Sequence, residues 1–588
     1  MRRAALLVVL LTALIASANP PANEKAAAAW MKDHAVALRS AEAGHGFDDL
    51  APVGKMVGDA RLVALGEATH GTREFFQLKH RMLEYLVTKK GFTVFGIEAS
   101  FPDSQAVNEY VLHGTGDASA ALAGLRFWTW NTDEVLDMIV WMRAWNADPA
   151  HAAKVKFYGF DMQNPSSSVT KLRAYFADAG IDEKAALDTL ASVTGFRRES
   201  VSVEERQKFD QSADALTKAL DAHRNGTAAW ELARQHVALI RQGGEVLLGK
   251  YDSNARDRYM AVNVKWILDH EPTGTKIVLW AHNGHIENRN AWVAPTMGST
   301  LRKWYGDALI IFGFAFDHGA FQAMKDGGGG LQKMSVTAAP KGSLDAVLDA
   351  SVPPLAAVDL RSARGLARDW LEAMQRTRSV GAVFDPNRGQ AYFAMLKPLV
   401  AYDVVLFVAE TTAAHGRVTR SAAHMPPPDP KALNLAFNEG TPGQPPPGWK
   451  NSSAAAGYRA VVTVDACASG SCVKVSRDGE RTREGFGVLM QRVDATPFRG
   501  RKVRFRAKLR SEIPVGASAR LWLRVDRPKG EMGFFDNMAD RLPGALPRWT
   551  EIEIVGEVAD DAEAIAFGLL FTGDGTAWMD EASLEVVP

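Results

Sequence analysis

Glu67 and His70 stand three residues apart in Leu65-Gly66-Glu67-Ala68-Thr69-His70-Gly71, close enough for a carboxylate and an imidazole to cooperate. A carboxylate beside a histidine fixes the ring's tautomer and stabilises the imidazolium, so the pair can serve as a general base near neutral pH. Further along, Glu98, Asp161, His282 and His285 each follow a short apolar run, and Lys79 interrupts a helical apolar stripe between Phe75 and Met82. A charge in such a stripe is costly unless paired, which makes the neighbouring carboxylates its expected partners. The chain carries no Gly-x-Ser-x-Gly elbow, so a serine α/β-hydrolase mechanism lacks its nucleophile and water takes that place. His70 is the expected chemical centre. Lys79 and the His282/His285 pair are read as stabilising an oxyanion or protonating a leaving alkoxide.

Two other chemistries share these residues. Glu67-x-x-His70, His282-x-x-His285, Glu98 and Asp161 are ligand types for Zn or Mn, as in a metal-dependent hydrolase. A His-rich cleft can also hold haem or a small molecule without turning it over.

These side chains need a scaffold that brings them together. Apolar β-type runs fall at about 61 to 66, 92 to 97, 155 to 160, 276 to 281, 308 to 314, 356 to 360 and 403 to 408, alternating with helical patterns. That grammar predicts an α/β domain, a parallel sheet covered by helices on both faces. Parallel strands present their loops at their carboxyl ends, so Glu67, Glu98, Asp161 and His282 should share one rim. From about 165 to 255 there is no comparable strand, and the Ala, Leu and charge content predicts a helical insertion able to act as a lid.

Gly66-Glu67-Ala68-Thr69-His70-Gly71, Glu74-Phe75-Phe76 with Lys79, and Gly91-Phe92 ahead of Glu98 resemble the opening signature of the erythromycin esterase superfamily. The resemblance continues through Phe127-Trp128-Thr129-Trp130, Trp141-Met142-Arg143 with Asn146, Tyr158-Gly159-Phe160-Asp161, Arg256-Asp257-Arg258-Tyr259-Met260 and Trp280-Ala281-His282-Asn283-Gly284-His285, roughly residues 30 to 420. It implies an ester or lactone hydrolase, with a macrolide as one substrate class, that uses His-activated water and needs neither metal nor cofactor. Carried across by position, it implies Glu67, His70, Lys79, Glu98, His282 and His285 as catalytic. Asp161, Trp128, Trp130 and Arg73 are read as binding substrate. Lys79 stands where some lactone-opening members carry Arg, and the compact esterases lack any counterpart of the C-terminal domain.

Pro426-Pro427-Pro428-Asp429-Pro430 and Pro445-Pro446-Pro447-Gly448 interrupt every periodic pattern, which predicts a catalytic domain over 19–425, a linker over 426–449 and a second domain over 450–588. In the second domain, period-two runs such as Lys502 to Ala507 and Arg520 to Val525 predict an all-β sandwich, jelly-roll-like. Its pattern and the Trp578-Met579-Asp580 end resemble carbohydrate-binding modules. A carbohydrate ligand would meet Trp449, Trp522 or Trp549, although aromatic residues in a sandwich are more often core.

With 588 residues, 47% of them hydrophobic, the chain has ample material for a folded core. Lys+Arg and Asp+Glu both number 68, so no net field draws it to nucleic acid. Arg2 and Arg3 precede an apolar run from Ala4 to Ala16 and the small residues Ala16-Ser17-Ala18, the pattern of a signal peptide over 1–18 cut after Ala18. That run is shorter than the ~20 residues of a spanning helix, and no later segment is apolar enough, so no integral membrane segment is expected. A periplasmic or secreted location follows, and there Cys467 and Cys472 are expected to form a disulfide.

Overall fold

The computed structural model describes residues 21–194, 201–248, 252–288, 295–326, 330–417, 428–451, 457–477, 486–514, 517–528, 532–538, 541 and 544–587. The expected signal peptide lies outside the described residues. The chain divides into two compact units, 1–417 and 418–588.

The first unit carries strands β1 (Val36–Ala37), β2 (Leu62–Leu65), β3 (Val94–Ser100), β4 (Lys156–Asp161), β5 (Ile277–Trp280) and β6 (Leu309–Lys325). It continues with β7 (Leu331–Val336), β8 (Leu355–Asp359), β9 (Gln375–Arg378), β10 (Val383–Phe384), β11 (Phe393–Leu396) and β12 (Val404–Thr411). The main sheet runs β1-β8-β12-β6-β2-β5-β3-β4. From β12 to β4 every pairing is parallel. β8 runs antiparallel to β12, and β1 antiparallel to β8. The sheet is therefore parallel through its centre, as expected, with a mixed edge at β8 and β1. The 356 to 360 run is apolar in either direction, and hydropathy carries no sign of orientation. β6 also outruns its expected end near 314, because its distal half pairs with β7 in a hairpin and with β10.

Burial explains why these runs lack alternation: every residue of β2, β3 and β5 is buried, as in strands covered on both faces. Val63 and Leu65 pack with Phe75, Leu78 and Val135 on one side, while Leu62 and Ala64 pack with Met260, Val264 and Leu301 on the other. The predicted insertion holds helices Pro165–Asp178, Lys184–Thr194, Val203–Ala222 and Ala228–Leu247. They enclose a core of their own around Leu172, Phe209, Leu216, Trp230 and Ile240.

The second unit consists of β13 (Lys450–Asn451), β14 (Arg459–Thr463), β15 (Cys472–Ser476), β16 (Gly487–Asp494), β17 (Lys502–Glu512), β18 (Ser518–Asp526), β19 (Met532–Asp536), β20 (Thr550–Glu557), β21 (Ala564–Thr572) and β22 (Thr576–Val587). They form two antiparallel sheets, β13-β16-β21-β18-β19 and β14-β15-β22-β17-β20, whose facing residues make one apolar core. Strict alternation of buried and half-exposed residues along β16 and β17 accounts for their legibility. The stretch read as a linker joins this unit from Asp429 onward: Asp429 bridges to Val493, and Phe437 and Trp449 enter the core. Pro430 and the run Pro445 to Pro447 interrupt regular structure without preventing the burial of Phe437 and Trp449. Trp449 and Trp522 are buried, and of the three tryptophans named above Trp549 alone is partly exposed. Cys467 and Cys472 are bonded, and the backbone N–H groups of Ala468 and Ser469 between them donate to the buried Asp580 carboxylate at 3.1 and 2.9 Å.

Candidate active site

The loop leaving β2 is squeezed between neighbours, which fixes two glycines in its sequence. A Cβ on Gly66 would sit 2.0 Å from Asn283 Oδ1, and one on Gly71 would sit 2.2 Å from the Gln322 carbonyl oxygen. The helix Arg73–Lys90 follows and turns Lys79 inward, fully buried among its apolar neighbours.

Glu67 is the junction of this region, with no exposed surface. Its Oε1 accepts from Nδ1 of His70 at 2.7 Å, and its Oε2 accepts from Nζ of Lys79 at 2.5 Å and Nε1 of Trp280 at 2.8 Å. Burial alone would raise the Glu67 carboxyl, but the Lys79 ammonium and the His70 bond overcome it and hold the group below its usual range. Burial brings Lys79 down to about 8, against the pull of Glu67. The ammonium lies 4.2 Å from the Trp280 ring centroid, so an aromatic face supplies part of the solvation that burial removes. With Nδ1 donating to Glu67, His70 keeps Nε2 as its basic nitrogen, on a side chain 12% exposed.

A second set surrounds Glu98 at the end of β3. Its Oε2 accepts from the backbone N–H of His282 at 2.9 Å, and its Oε1 accepts from Arg256 Nη2 at 2.7 Å. The same guanidinium donates to Asp161 Oδ2 at 2.7 Å. Nδ1 of His285 donates to Asp257 at 3.0 Å, while its Nε2 lies 3.3 Å from Glu98 Oε1. Burial opposes a charge on His285, yet Glu98 and Asp257 raise it to about 10. Burial likewise opposes the Glu98 charge, but His285 and Arg256 hold that carboxyl well below its ordinary value.

His282 joins the two sets. Its ring centroid is 4.9 Å from that of His70. Nδ1 accepts from the Gly284 N–H at 3.1 Å and Nε2 donates to the Val380 carbonyl at 3.2 Å, so both nitrogens are satisfied in the neutral ring. Burial depresses it to about 3. Trp130 closes the group, edge-on to His70 at 6.1 Å and donating from Nε1 to the Glu98 carbonyl at 3.0 Å.

Glu67, His70, Lys79, Glu98, Asp161, His282, His285 and Trp130 thus form one cluster, two bonded sets joined by the His70–His282 ring contact, at the carboxyl ends of the parallel strands. Arg73 lies apart, lining a recess of about 280 Å³ with Glu42, His80, Glu134 and Asp137. Trp128 is half-buried in the turn ahead of Trp130, outside the cluster. Among the described residues, the set of His, Cys, Asp and Glu side chains that gathers its ligand atoms within 4.8 Å of one another is Asp317, His318 and Asp349, away from this cluster. Sequence reasoning missed Arg256, Asp257 and Val380 as parts of the site. Arg256 and Asp257 begin the buried face of the helix Ser253–His270, where a paired Arg and Asp on an apolar face were the available signal. Val380 contributes only backbone groups, which no residue type announces.

The family model described as erythromycin esterase matches residues 87–411. The chain is similar to erythromycin esterase type II of Escherichia coli, 25% identical over 326 residues that cover 48% of this chain and 75% of that protein. It is similar to the putative hydrolase YbfO of Bacillus subtilis (strain 168), 26% identical over 395 residues, 60% of this chain and 86% of that one. A crystal structure of a Bacillus cereus protein superposes with a TM-score of 0.61 at 25% identity, covering 68% of this chain and all (100%) of that chain. A structure described as a succinoglycan biosynthesis protein shares the fold with a TM-score of 0.60 at 24% identity, over 68% of this chain and 100% of that one.

Proposed function

The chain belongs to the erythromycin esterase family, and on that premise we propose that it opens an ester or lactone with water activated by His70. The observation that carries this reading is the buried Lys79–Glu67–His70 relay, at 2.5 and 2.7 Å. Lys79 keeps Glu67 anionic, Glu67 holds the Nδ1 proton of His70, and Nε2 is left as base. Nε2 takes a proton from water as the oxygen bonds to the carbonyl carbon. The tetrahedral intermediate then expels the alkoxide, which recovers that proton from the imidazolium. Lys79 has no exposed surface and acts through Glu67, and His285 and Arg256 supply positive charge to the other side of the cluster.

Macrolide lactones are the first substrates to try, by analogy with the relatives' names. Incubation of wild type and His70→Ala with macrolides and simple esters, read by mass spectrometry, tests the proposal: a gain of one water only with wild type supports it. Equal conversion by both proteins overturns it. Metal content and chelator sensitivity of the same preparation test the metal-free route, and chelator-sensitive turnover with stoichiometric metal would defeat it. Export is part of the proposal, supported by the leader pattern and by the Cys467–Cys472 bond, which suits an oxidising compartment. N-terminal sequencing of the mature protein checks it. Carbohydrate binding by the second unit falls to the surface bearing Trp549, the partly exposed tryptophan, and unchanged retention of Trp549→Ala in polysaccharide gels would count against it.

A further inference from the structure

We infer that Asp345, remote from the cluster in sequence and fully buried, is a positioning residue for the proposed hydrolysis: it anchors a backbone strap that ties the His70 loop to the His282 loop. The inference rests on the reading of His70 as base.

Asp345 lies in the first turn of the helix Leu344–Ser351, capped by Ser343, whose Oγ accepts from the Ala346 N–H at 3.2 Å. Its carboxylate receives the backbone N–H of Arg378 at 2.9 Å on Oδ2 and the hydroxyl of Thr377 at 3.3 Å on Oδ1. Those two residues end β9, which pairs with β11. Immediately beyond, Ser379 N–H donates to the Tyr392 carbonyl at 2.9 Å and Val380 N–H donates to the Ala68 carbonyl at 2.7 Å. The Val380 carbonyl accepts Nε2–H of His282 at 3.2 Å. One buried peptide segment therefore bonds to the residue beside Glu67 and to the ring beside His70. The Arg378 side chain secures the same segment from a third direction, donating to the Asp317 and Thr337 carbonyls, both at 2.9 Å.

A buried carboxylate is a costly anchor. Burial pushes Asp345 up to about 6 despite the Arg378 N–H and guanidinium. An apolar residue would pack there without that cost, and what Asp345 holds in place is the strap. Without Asp345 the Thr377–Val380 stretch loses two of its bonds and the Val380 carbonyl can drift. His282 Nε2–H then loses its acceptor and the neutral ring can turn or change tautomer against His70. Misplacement of about 1 Å at a reacting centre costs on the order of 100-fold in rate.

The test compares wild type, Asp345→Ala, Asp345→Asn and Thr377→Val as full chains. Hydrolysis of p-nitrophenyl butyrate is measured per folded molecule, and the His282 ring tautomer is read from ¹⁵N correlation spectra. Asp345→Ala should lower kcat about 10- to 100-fold with KM within about twofold, and should shift the His282 nitrogen signals. Asp345→Asn, which still accepts from Arg378 N–H, should recover most of the rate, and Thr377→Val should fall between. Wild-type kcat per folded Asp345→Ala molecule, or unmoved His282 signals, overturns the inference, as does an Asn variant no better than Ala. If wild type hydrolyses no ester, the hydrolase reading fails, and the His282 signals still decide the strap.

Discussion

Nη1 of Arg256 stands 2.9 Å from Nε2 of His285, while Nη2 of the same guanidinium reaches Glu98 and Asp161 at 2.7 Å each. One cation thus ties three strand ends together, and its planar fork is what allows three partners at once. Nε2 of His285 is shared between this donor and the Glu98 carboxylate, so a proton there favours Glu98 and its loss favours Arg256.

Arg256→Met should destabilise the first unit by about 3 to 5 kcal/mol, because it strands buried carboxylates without their counter-charge. Arg256→Lys should keep the charge, recover part of that loss and still turn over more slowly than wild type. Urea unfolding followed by tryptophan fluorescence measures the first effect, and ester hydrolysis the second. A Met variant as stable as wild type would remove Arg256 from its bridging role.

Glu67→Gln should reduce kcat by about 100- to 10,000-fold, since the imidazolium forming on His70 loses its carboxylate. Lys79→Met has a separate signature. The Lys79 ammonium opposes the effect of burial on Glu67 and keeps that carboxyl low, so its loss lets the pKa rise. The acid limb of the pH–rate profile should therefore move to higher pH, and an unmoved limb would sever Lys79 from the mechanism.

Acid should weaken the fold at pH values above the ordinary carboxylate range. Burial holds His80 at about 4, and His236 and His282 at about 3, each neutral when folded. Unfolded histidines titrate near 6.5, so the unfolded chain binds more protons as pH falls. These groups contribute fully above about 6.5 and lose stability below it, by about 2 kcal/mol each between pH 7 and pH 5. His285 has the opposite sign: raised to about 10, its contribution is complete below about 6.5 and is lost as pH climbs through 10. Denaturant midpoints at pH 5 and 7 that coincide would contradict the acid part.

Cys467→Ser with Cys472→Ser should lower the stability of the second unit by about 2 kcal/mol, the chain-entropy value for so short a loop. The loop's N–H groups also serve Asp580, so the carboxylate that anchors β22 loses order with the bond. Ester hydrolysis should be unchanged. Equal midpoints for oxidised wild type and the double variant would show the bond to be idle.

The legible part of this protein was what periodicity and strand direction encode. Glu67, Glu98, Asp161 and His282 could be placed on one rim because the runs ahead of them read as parallel strands, and β2, β3, β4 and β5 are parallel neighbours. Lys79 could be matched to a carboxylate because an apolar stripe leaves it little else. The antiparallel edge at β8 escaped, since pairing direction depends on the tertiary path. Arg256 escaped because it reaches the rim from a crossing helix, and Val380 because a carbonyl oxygen is common to every residue. Arg73 is read from the sequence as binding substrate, yet at the start of its helix it lines another recess.

β2 lies between β5 and β6 with both edges paired and every residue buried. Amide protons there should be among the last in the chain to exchange with deuterium, since exchange requires the sheet itself to open. The outer helices of the insertion, Lys184–Thr194 and Val203–Ala222, pack into a core apart from the sheet and should exchange earlier. The proposed base would then be suspended from backbone among the best protected of the described residues, and the ring proposed to move protons would rest on atoms that scarcely give them up.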